Sequence, residues 1–366
     1  MFSTFLNEIS GYFDRRFLLS AFFPVVAFSG LSLGMGLALW GPNAIVNFWQ
    51  GQPEELRILA TVGVLGFILF IAYLFNIFQT GLTRLYEGYW DGLPILSWLG
   101  KGRRGFYQKM WDYLQDNTER LTGMITSLEI NIPDVETPDQ RKERKRKIDQ
   151  LYSELGRFER ELFLFYPPGK LHVMPTQLGN VLRTSEFYSI KRYGLDAVVA
   201  WPRLQSLLPK DFAESLRDAK ANLDLLLVVT TLAGIFAIGW EVVIGVFTDR
   251  WDLFLLASLA WILALLGYSG AVQAARSYGE LIKAAFDLYR WELLKAMHLK
   301  MPASYEDERK LWEEVSELLY RNYPPNVKVF RYDVETETSP IPHSKVTFLS
   351  RLTDWLGLTN KPAKKE

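Results

Sequence analysis

Four stretches of this chain are long and apolar enough to cross a lipid bilayer. A bilayer core of about 30 Å requires roughly 20 apolar residues in a helix, and helices satisfy their own backbone hydrogen bonds there. Three of the stretches contain no Asp, Glu, Lys or Arg, and the third in chain order contains a single acid, Glu241. The predicted spans are 17–40, 58–82, 225–247 and 253–275.

The total charge of the chain is balanced, so its local distribution carries the information. Lys plus Arg and Asp plus Glu number 41 each, and 49% of the 366 residues are apolar. This balance gives no reason to expect general binding to nucleic acid or to anionic surfaces. The chain contains no cysteine, which excludes disulfides, thiolate nucleophiles and thiolate metal ligands.

Basic residues cluster on one side of the predicted spans. The loops 41–57 and 248–252 contain one basic residue each, Arg57 and Arg250. The opposite ends of the spans are flanked by Arg15, Arg16, Arg203, Lys210, Arg217, Lys220, Arg276, Lys283, Arg290 and Lys295. The positive-inside rule therefore predicts a multi-pass protein of the cell membrane whose N- and C-termini lie in the cytoplasm.

These patterns predict an all-α integral membrane protein with four transmembrane helices in two hairpins. The hairpins occupy 17–82 and 223–275, and a cytoplasmic helical insert at 83–222 separates them. Residues 1–16 are expected to form an amphipathic interfacial helix, and 276–366 a cytoplasmic helical region with an amphipathic tail. No proline occurs from 253 to 301, so a single helix of about 70 Å is predicted to extend from the membrane into the cytoplasm.

Within the insert, two seams of apolar residues predict an antiparallel coiled-coil hairpin at 106–165. Thr137, Pro138 and Gln140 match a capping box with proline at the first helical position. Asn117 lies either in the seam, where it would fix the register, or at the seam edge. The seams comprise Tyr107, Met110, Leu114, Asn117, Leu121, Met124 and Leu128, and then Ile148, Leu151, Leu155, Phe158, Leu162 and Phe165.

Two segments are predicted to be non-helical. The Gly- and Trp-rich segment 88–105 is expected to form a connector against the membrane surface. Its G-x-G-x-x-G pattern at 100–105 follows no strand and lies in no βαβ unit, which argues against a dinucleotide site. Its basic residues Lys101, Arg103 and Arg104 are instead expected to contact anionic lipid headgroups.

The sequence of segment 326–335 predicts a minor β element, with 170–174 as a candidate partner.

The densest run of positive charge lies at the tip of the predicted hairpin. It occupies the first turns of a helix, where the helix macrodipole disfavours cations. The run predicts contact with an acidic protein, a nucleic acid or lipid, or else a merely solvated helix face. Its members are Arg141, Lys142, Arg144, Lys145, Arg146 and Lys147.

Glu241 is the one carboxylate inside a predicted span. Acids within membranes are candidates for handling ions or protons. Glu241 is also only six residues from Phe247, about 9 Å along a helix, which is close enough to reach the outer interface. Both interpretations remain open at this stage.

Motifs typical of enzymes and of metal sites are absent from the sequence. His172, His298 and His343 are far apart, and none has a metal-binding partner three or four residues away. No nucleophile elbow, zinc-protease motif or phosphate-binding lysine motif occurs. The sequence therefore nominates no catalytic residue, cofactor or metal. A membrane-bound enzyme whose carboxylate site is assembled from distant residues stays open as a third class.

The sequence favours a non-enzymatic, membrane-anchored adaptor or sensor-effector. Its cytoplasmic helices would bind a partner or oligomerise, and its long helices would transmit that event to the membrane. The alternative is an oligomeric ion channel or transporter subunit, because four such helices could hardly conduct as a monomer. Membrane lipids and further copies of this chain are the expected partners, together with an acidic protein or a nucleic acid at the basic tip.

Overall fold

The computed structural model describes residues 14–92, 94–132 and 136–321, together with Tyr332. Long helices make up the regular structure of these ranges, which confirms the all-α class. They are α1 (Arg15–Trp40, with a π-helical turn at Leu18–Phe22), α2 (Pro42–Gln50), α3 (Glu54–Ile77), α4 (Gln79–Glu87), α5 (Pro94–Ile130), α6 (Pro138–Phe165), α7 (Gln177–Tyr193), α8 (Ala197–Ser206), α9 (Lys210–Phe247), α10 (Trp251–Ala296) and α11 (Tyr305–Arg321).

Four of these helices, α1, α3, α9 and α10, are long and apolar enough to span a membrane. This finding suggests a membrane protein. The predicted span 58–82 covers two helices in the structure, because α3 ends at Ile77 and α4 begins at Gln79 after a break at Phe78. The long helix predicted from position 253 is present as α10, which contains 46 residues and is therefore about 70 Å long.

Helices α9 and α10 pack along each other, and small residues allow their backbones to approach closely. A Cβ atom added at Gly267 would lie 2.6 Å from the hydroxyl oxygen of Thr230, which leaves no room for a larger residue. Ala257, Ala271 and Ala275 of α10 are fully buried. This is the contact expected between small residues in helices that pack within a membrane.

Helices α1 and α3 make a smaller contact. Ala72 is the one fully buried residue of α3, and it packs with Leu18, Ala21 and Val25 of α1. Most large apolar side chains of α3 are exposed. In a membrane, lipid or another protein surface would have to cover them.

Helices α5 and α6 pack antiparallel through a seam that differs by one residue from the predicted one. Leu121 and Ile125 are buried against Leu155, whereas the predicted seam residue Met124 is exposed. Asn117 donates a 2.6 Å hydrogen bond to the Tyr113 carbonyl of its own helix, so it lies at the seam edge. The predicted capping box at the start of α6 is present.

The part of the chain from α7 to α11 packs around the second half of α10. Phe286, Leu294 and Trp312 are fully buried in this core. Ser304 caps α11 by accepting a hydrogen bond from the Asp307 N–H. The core therefore surrounds the half of α10 that follows its apolar segment.

The predicted connector and the candidate partner of the predicted β element both require correction. Segment 88–105 is not a connector throughout, because α5 begins at Pro94 and its helical backbone includes the whole G-x-G-x-x-G pattern. Segment 170–174 pairs with no strand in the described ranges, since it begins as a 3-10 helix at Lys170–His172. The predicted β element lies outside the described residues except for Tyr332, which forms an isolated bridge with Leu299. The segment 1–13 and the tail from 333 also lie outside them.

Candidate functional site

The positive charge at the start of α6 divides into a structural part and an available part. Arg144 donates bidentately to Glu136 at 2.8 and 3.0 Å, and it also donates to the Leu128 carbonyl at 3.2 Å. Arg141 lies 3.6 Å from the same carboxylate. The Glu136 side chain is only 4% exposed, so these contacts join the end of α5 to the start of α6. Arg144 and Arg141 are therefore already engaged within the chain.

The other four cations of this run have no such partner. Lys142, Lys145, Arg146 and Lys147 are exposed and form no hydrogen bond or ion pair with any described residue. Unpaired cations on the first turns of a helix are disfavoured by the macrodipole, and a bound anion would relieve this. These four residues, named the basic tip from here on, are the surface available to an acidic partner.

The three basic residues at the start of α5 also differ from one another. Arg103 donates to the Pro175 carbonyl at 3.2 Å and lies over the Tyr107 ring, so it ties α5 to the segment before α7. Lys101 is exposed, and Arg104 is half-buried without a hydrogen bond at its Nε atom. Nearby, Ile95 and Trp98 are 82% and 76% exposed on the same helix. Exposed apolar and basic residues together are typical of a helix that lies on a membrane surface.

Glu241 forms hydrogen bonds between α9 and α10. Its Oε1 atom accepts one from the Ser258 hydroxyl at 3.0 Å and one from the Trp261 indole at 3.1 Å. Both donors belong to the helix that packs against its own. This arrangement gives the carboxylate a role in holding the two helices together.

Helices α6 and α10 meet in a pair of cation–π contacts. The ammonium of Lys283 lies 4.2 Å from the centre of the Phe163 ring, and the guanidinium of Arg276 lies 5.4 Å from that of Phe165. Lys283 is only 5% exposed and also donates to Glu280 at 3.0 Å. Seven residues, about two turns, separate the two cations, so they face the same side of α10. In the sequence these two cations indicate topology, and their spacing is also a signal of a shared helix face.

A half-buried carboxylate connects α7 to α10 beside this junction. Asp287 accepts hydrogen bonds from the hydroxyl of Tyr188, at 2.9 and 3.0 Å, and from that of Tyr193 at 2.6 Å. Burial, and then the hydrogen bond to Asp287, raise the pKa of Tyr188 to about 12. The Tyr188 hydroxyl therefore stays protonated at physiological pH and donates a hydrogen bond to Asp287.

A second carboxylate connects α10 to α11. Glu308 is buried and accepts hydrogen bonds from Arg290 at 2.7 Å and from the indoles of Trp291 and Trp312 at 2.8 and 3.3 Å. Burial alone raises the pKa of Glu308, but the hydrogen bonds from Arg290 and the indoles outweigh it and hold that pKa below its ordinary value. The position of α11 is thus also determined by α10.

A cavity of about 560 Å³ lies between α5, α6 and α7. Trp111, Phe163, Tyr166, Phe187 and Tyr188 supply aromatic walls, and Lys191 and Arg192 add positive charge. Its size falls in the range of small-molecule sites. Phe163 and Tyr188 also contact Lys283, so an occupant of this cavity would touch the residues that join α6 to α10.

The described histidines do not form a metal site. His172 stacks on Phe187 with ring centroids 4.0 Å apart, and His298 occupies a left-handed turn with a φ of 53°. Among the described residues, no group of three or more potential metal ligands occurs. His343 lies outside them.

Comparison with protein-family models, with curated proteins and with solved structures gives no match for this chain.

Proposed function

We propose that the protein is a non-enzymatic, membrane-anchored adaptor or sensor-effector. One observation carries the proposal, namely that Arg276 and Lys283 lie on the same unbroken helix as an apolar span and contact Phe165 and Phe163 of α6. A helix with intact backbone hydrogen bonds moves largely as a rigid body over this distance. Displacement of the α5–α6 pair would therefore be passed to α10.

The basic tip would receive a macromolecular partner in this proposal. It lies at the end of the α5–α6 pair opposite the junction with α10, because α6 runs from the tip to Phe163 and Phe165. An acidic protein surface or a nucleic acid would supply the missing negative charge. The aromatic cavity provides a second place where binding would act on the junction, and this supports the sensor part of the proposal.

The absence of cysteine makes the proposal straightforward to test with spin labels. Cysteines introduced at the exposed positions Glu154 of α6 and Ser277 of α10 would report the distance across the junction. Polyglutamate stands in for an acidic protein, and single-stranded DNA for a nucleic acid. We expect at least one of the two probes to shift the distance distribution in the otherwise native protein.

A charge-neutralised variant and a matched control locate the effect. Replacing the four residues of the basic tip with glutamine should abolish the shift. Replacing the exposed Arg157 and Arg160, which lie on the same helix away from the tip, should leave the shift unchanged. A distance distribution that neither probe alters in the native protein would contradict the adaptor proposal.

The exposed α3 supports a further element of the proposal, which is that copies of the chain associate. Apart from Ala72, no α3 residue is fully buried, so its apolar surface remains available for a second copy. The mass of the protein in nanodiscs tests this directly. A ring-like oligomer would favour the alternative of a channel or transporter subunit, and a dimer would support an adaptor whose copies associate. A monomer would contradict the association of copies.

The placement of the two chain ends in the cytoplasm belongs to the same proposal. It is supported by the basic residues near the inner ends of the predicted spans. A protease added to sealed inside-out vesicles tests this placement. A tag at either terminus should be cleaved if that terminus lies in the cytoplasm.

A further inference from the structure

Two neighbouring cavities lie where the start of α1 meets α9. Their volumes are about 320 and 470 Å³, and Asp14, Arg16 and Ala221 line both. Arg16 donates a 3.1 Å hydrogen bond to Asp218 of α9, and this contact joins the start of α1 to α9. The cavities therefore flank a defined ion pair.

The charges around these cavities have both signs in equal number. The carboxylates are Asp14, Glu214, Asp218 and Asp224, and the cations are Arg15, Arg16, Arg217 and Lys220. Four of each give no net charge. Arg15, Arg217 and Glu214 form no hydrogen bond or ion pair with any described residue, so charges of both signs remain available to a ligand.

The polar and apolar parts of the site are arranged in order along both helices. At the start of α1 the charged residues 14–16 precede Leu19, and in α9 the charged residues 214 and 218 precede Leu225. All of these residues line the larger of the two cavities. Leu19 is 45% exposed, so the apolar end opens outwards. A ligand with a charged head and an apolar body matches this order.

Uncharged polar groups complete the site. The amide of Asn76, on the apolar α3, lines the smaller cavity and has no hydrogen-bond partner among the described residues. Gln79 donates a 3.2 Å hydrogen bond to the buried Ser20, which lies in the π-helical turn of α1. Such turns are frequent at functional sites, because they alter the direction of side chains in a helix.

We infer that these cavities bind the headgroup of a phospholipid that carries both a phosphate and a primary ammonium, as in phosphatidylethanolamine. Lys220 already donates to Asp224, and Arg16 to Asp218. The phosphate would therefore be held by Arg15 and Arg217, and the ammonium would donate hydrogen bonds to Glu214. A purely anionic headgroup would leave Glu214 without a cation to bind. A choline headgroup has no N–H group to donate. The inference rests on the proposed membrane anchoring.

Retention of lipid by the full-length protein tests the inference. We would purify the chain in detergent, add phosphatidylethanolamine, phosphatidylcholine and phosphatidylglycerol with identical acyl chains, and measure bound lipid by native mass spectrometry. We expect phosphatidylethanolamine to be retained preferentially. Arg217→Gln should weaken its binding about tenfold, or about 1.4 kcal/mol, while Arg157→Gln, at an exposed position of α6 away from both the cavities and the basic tip, should have no effect.

The possible outcomes separate this inference from the proposed function. Equal retention of the three lipids, or retention that Arg217→Gln does not alter, would overturn the lipid specificity. Competition by inorganic phosphate at the same concentration as the lipid would show a free-phosphate site and would overturn it as well. Release of the chain from membranes by alkaline carbonate would instead overturn the membrane anchoring on which the proposed function rests.

Discussion

The ammonium of Lys283 lies 4.2 Å from the centre of the Phe163 ring, although the two residues are 120 positions apart and the lysine side chain is only 5% exposed. The centre of the Tyr188 ring lies 5.7 Å from the same ammonium. One buried charge of α10 thus contacts both α6 and α7. The rings of Phe163 and Tyr188 and the carboxylate of Glu280 stabilise this ammonium where water is excluded.

Replacing Lys283 with methionine should loosen the junction without removing its apolar stem. A desolvated cation–π contact contributes about 2 kcal/mol, so we expect the free energy of local opening at the end of α6 to fall by about 1–2 kcal/mol. Hydrogen exchange of residues 158–165 measures this. Lys295→Met is the matched control, because Lys295 pairs with Glu292 in the same i,i+3 geometry while 60% exposed. Equal effects of both substitutions would contradict the assigned role of Lys283.

Replacing Glu136 with glutamine should open the connection between α5 and α6. The carboxylate is 4% exposed and engages Arg144 and Arg141, so its loss would leave both cations without a counter-charge. We expect faster tryptic cleavage at the lysines and arginines of the basic tip. Glu143→Gln should leave the cleavage rate unchanged, because Glu143 is exposed in α6 and has no ion-pair partner among the described residues. Unaltered cleavage in the Glu136 variant would show that these ion pairs do not hold the turn.

Glu87 should make the stability of the protein depend on pH near neutrality. Burial, and then repulsion by Glu186, raise the pKa of Glu87 to about 7 from an ordinary value of 4.5. The native state therefore binds this proton more tightly than the unfolded state does. Its stabilising contribution is fully present below about pH 4.5 and is lost as the pH rises through about 7.

The thermal unfolding midpoint between about pH 5 and about pH 8 measures this contribution. Glu87→Gln should reduce the fall of the midpoint with rising pH, because glutamine has no proton to lose. Glu154→Gln, at an exposed and unpaired position of α6, should keep the native pH dependence. An identical slope in the Glu87 variant and the native protein would assign the pH dependence to other groups.

Local patterns predicted those parts of the fold that local physics determines. Continuous apolar length identified the four candidate spans, and the Thr137 capping box marked the start of α6 correctly. The seam of α5 departed from its heptad between Leu121 and Ile125, because a straight helix has 3.6 residues per turn and drifts relative to a seven-residue repeat. As a result, the predicted seam residue Met124 is exposed and the next residue, Ile125, is buried instead.

Contacts between distant segments account for the predictions that failed. The glycines at 100–105 suggested a non-helical connector, but this part of the chain is helical and contacts other segments. A Cβ atom at Gly100 would lie 3.0 Å from the Trp90 ring, and Arg103 is bound to the Pro175 carbonyl. The contact between α6 and α10 was not predicted for the same reason, because nothing near Lys283 in the sequence identifies Phe163 as its partner. Such contacts depend on the packing of whole helices, which a single sequence does not display.

Glu241 distinguishes the adaptor proposal from the channel alternative. Glutamine at this position retains a carbonyl oxygen that can accept the hydrogen bonds of Ser258 and Trp261, so Glu241→Gln should preserve the contact between α9 and α10. Glu241→Ala would remove the acceptor and should lower the free energy of unfolding by about 1–3 kcal/mol. Thermal unfolding of the three forms in detergent measures this difference.

Ion flux in reconstituted vesicles completes the comparison. The adaptor proposal predicts no flux above that of empty vesicles for the native protein and for Glu241→Gln alike. The channel alternative predicts flux for the native protein, loss of that flux in Glu241→Gln, and normal flux in Glu54→Gln, which alters an exposed and unpaired acid at the start of α3. Because the glutamine variant keeps the interhelical hydrogen bonds, a loss of flux would report the charge of Glu241 itself and would make conduction the better account of this protein.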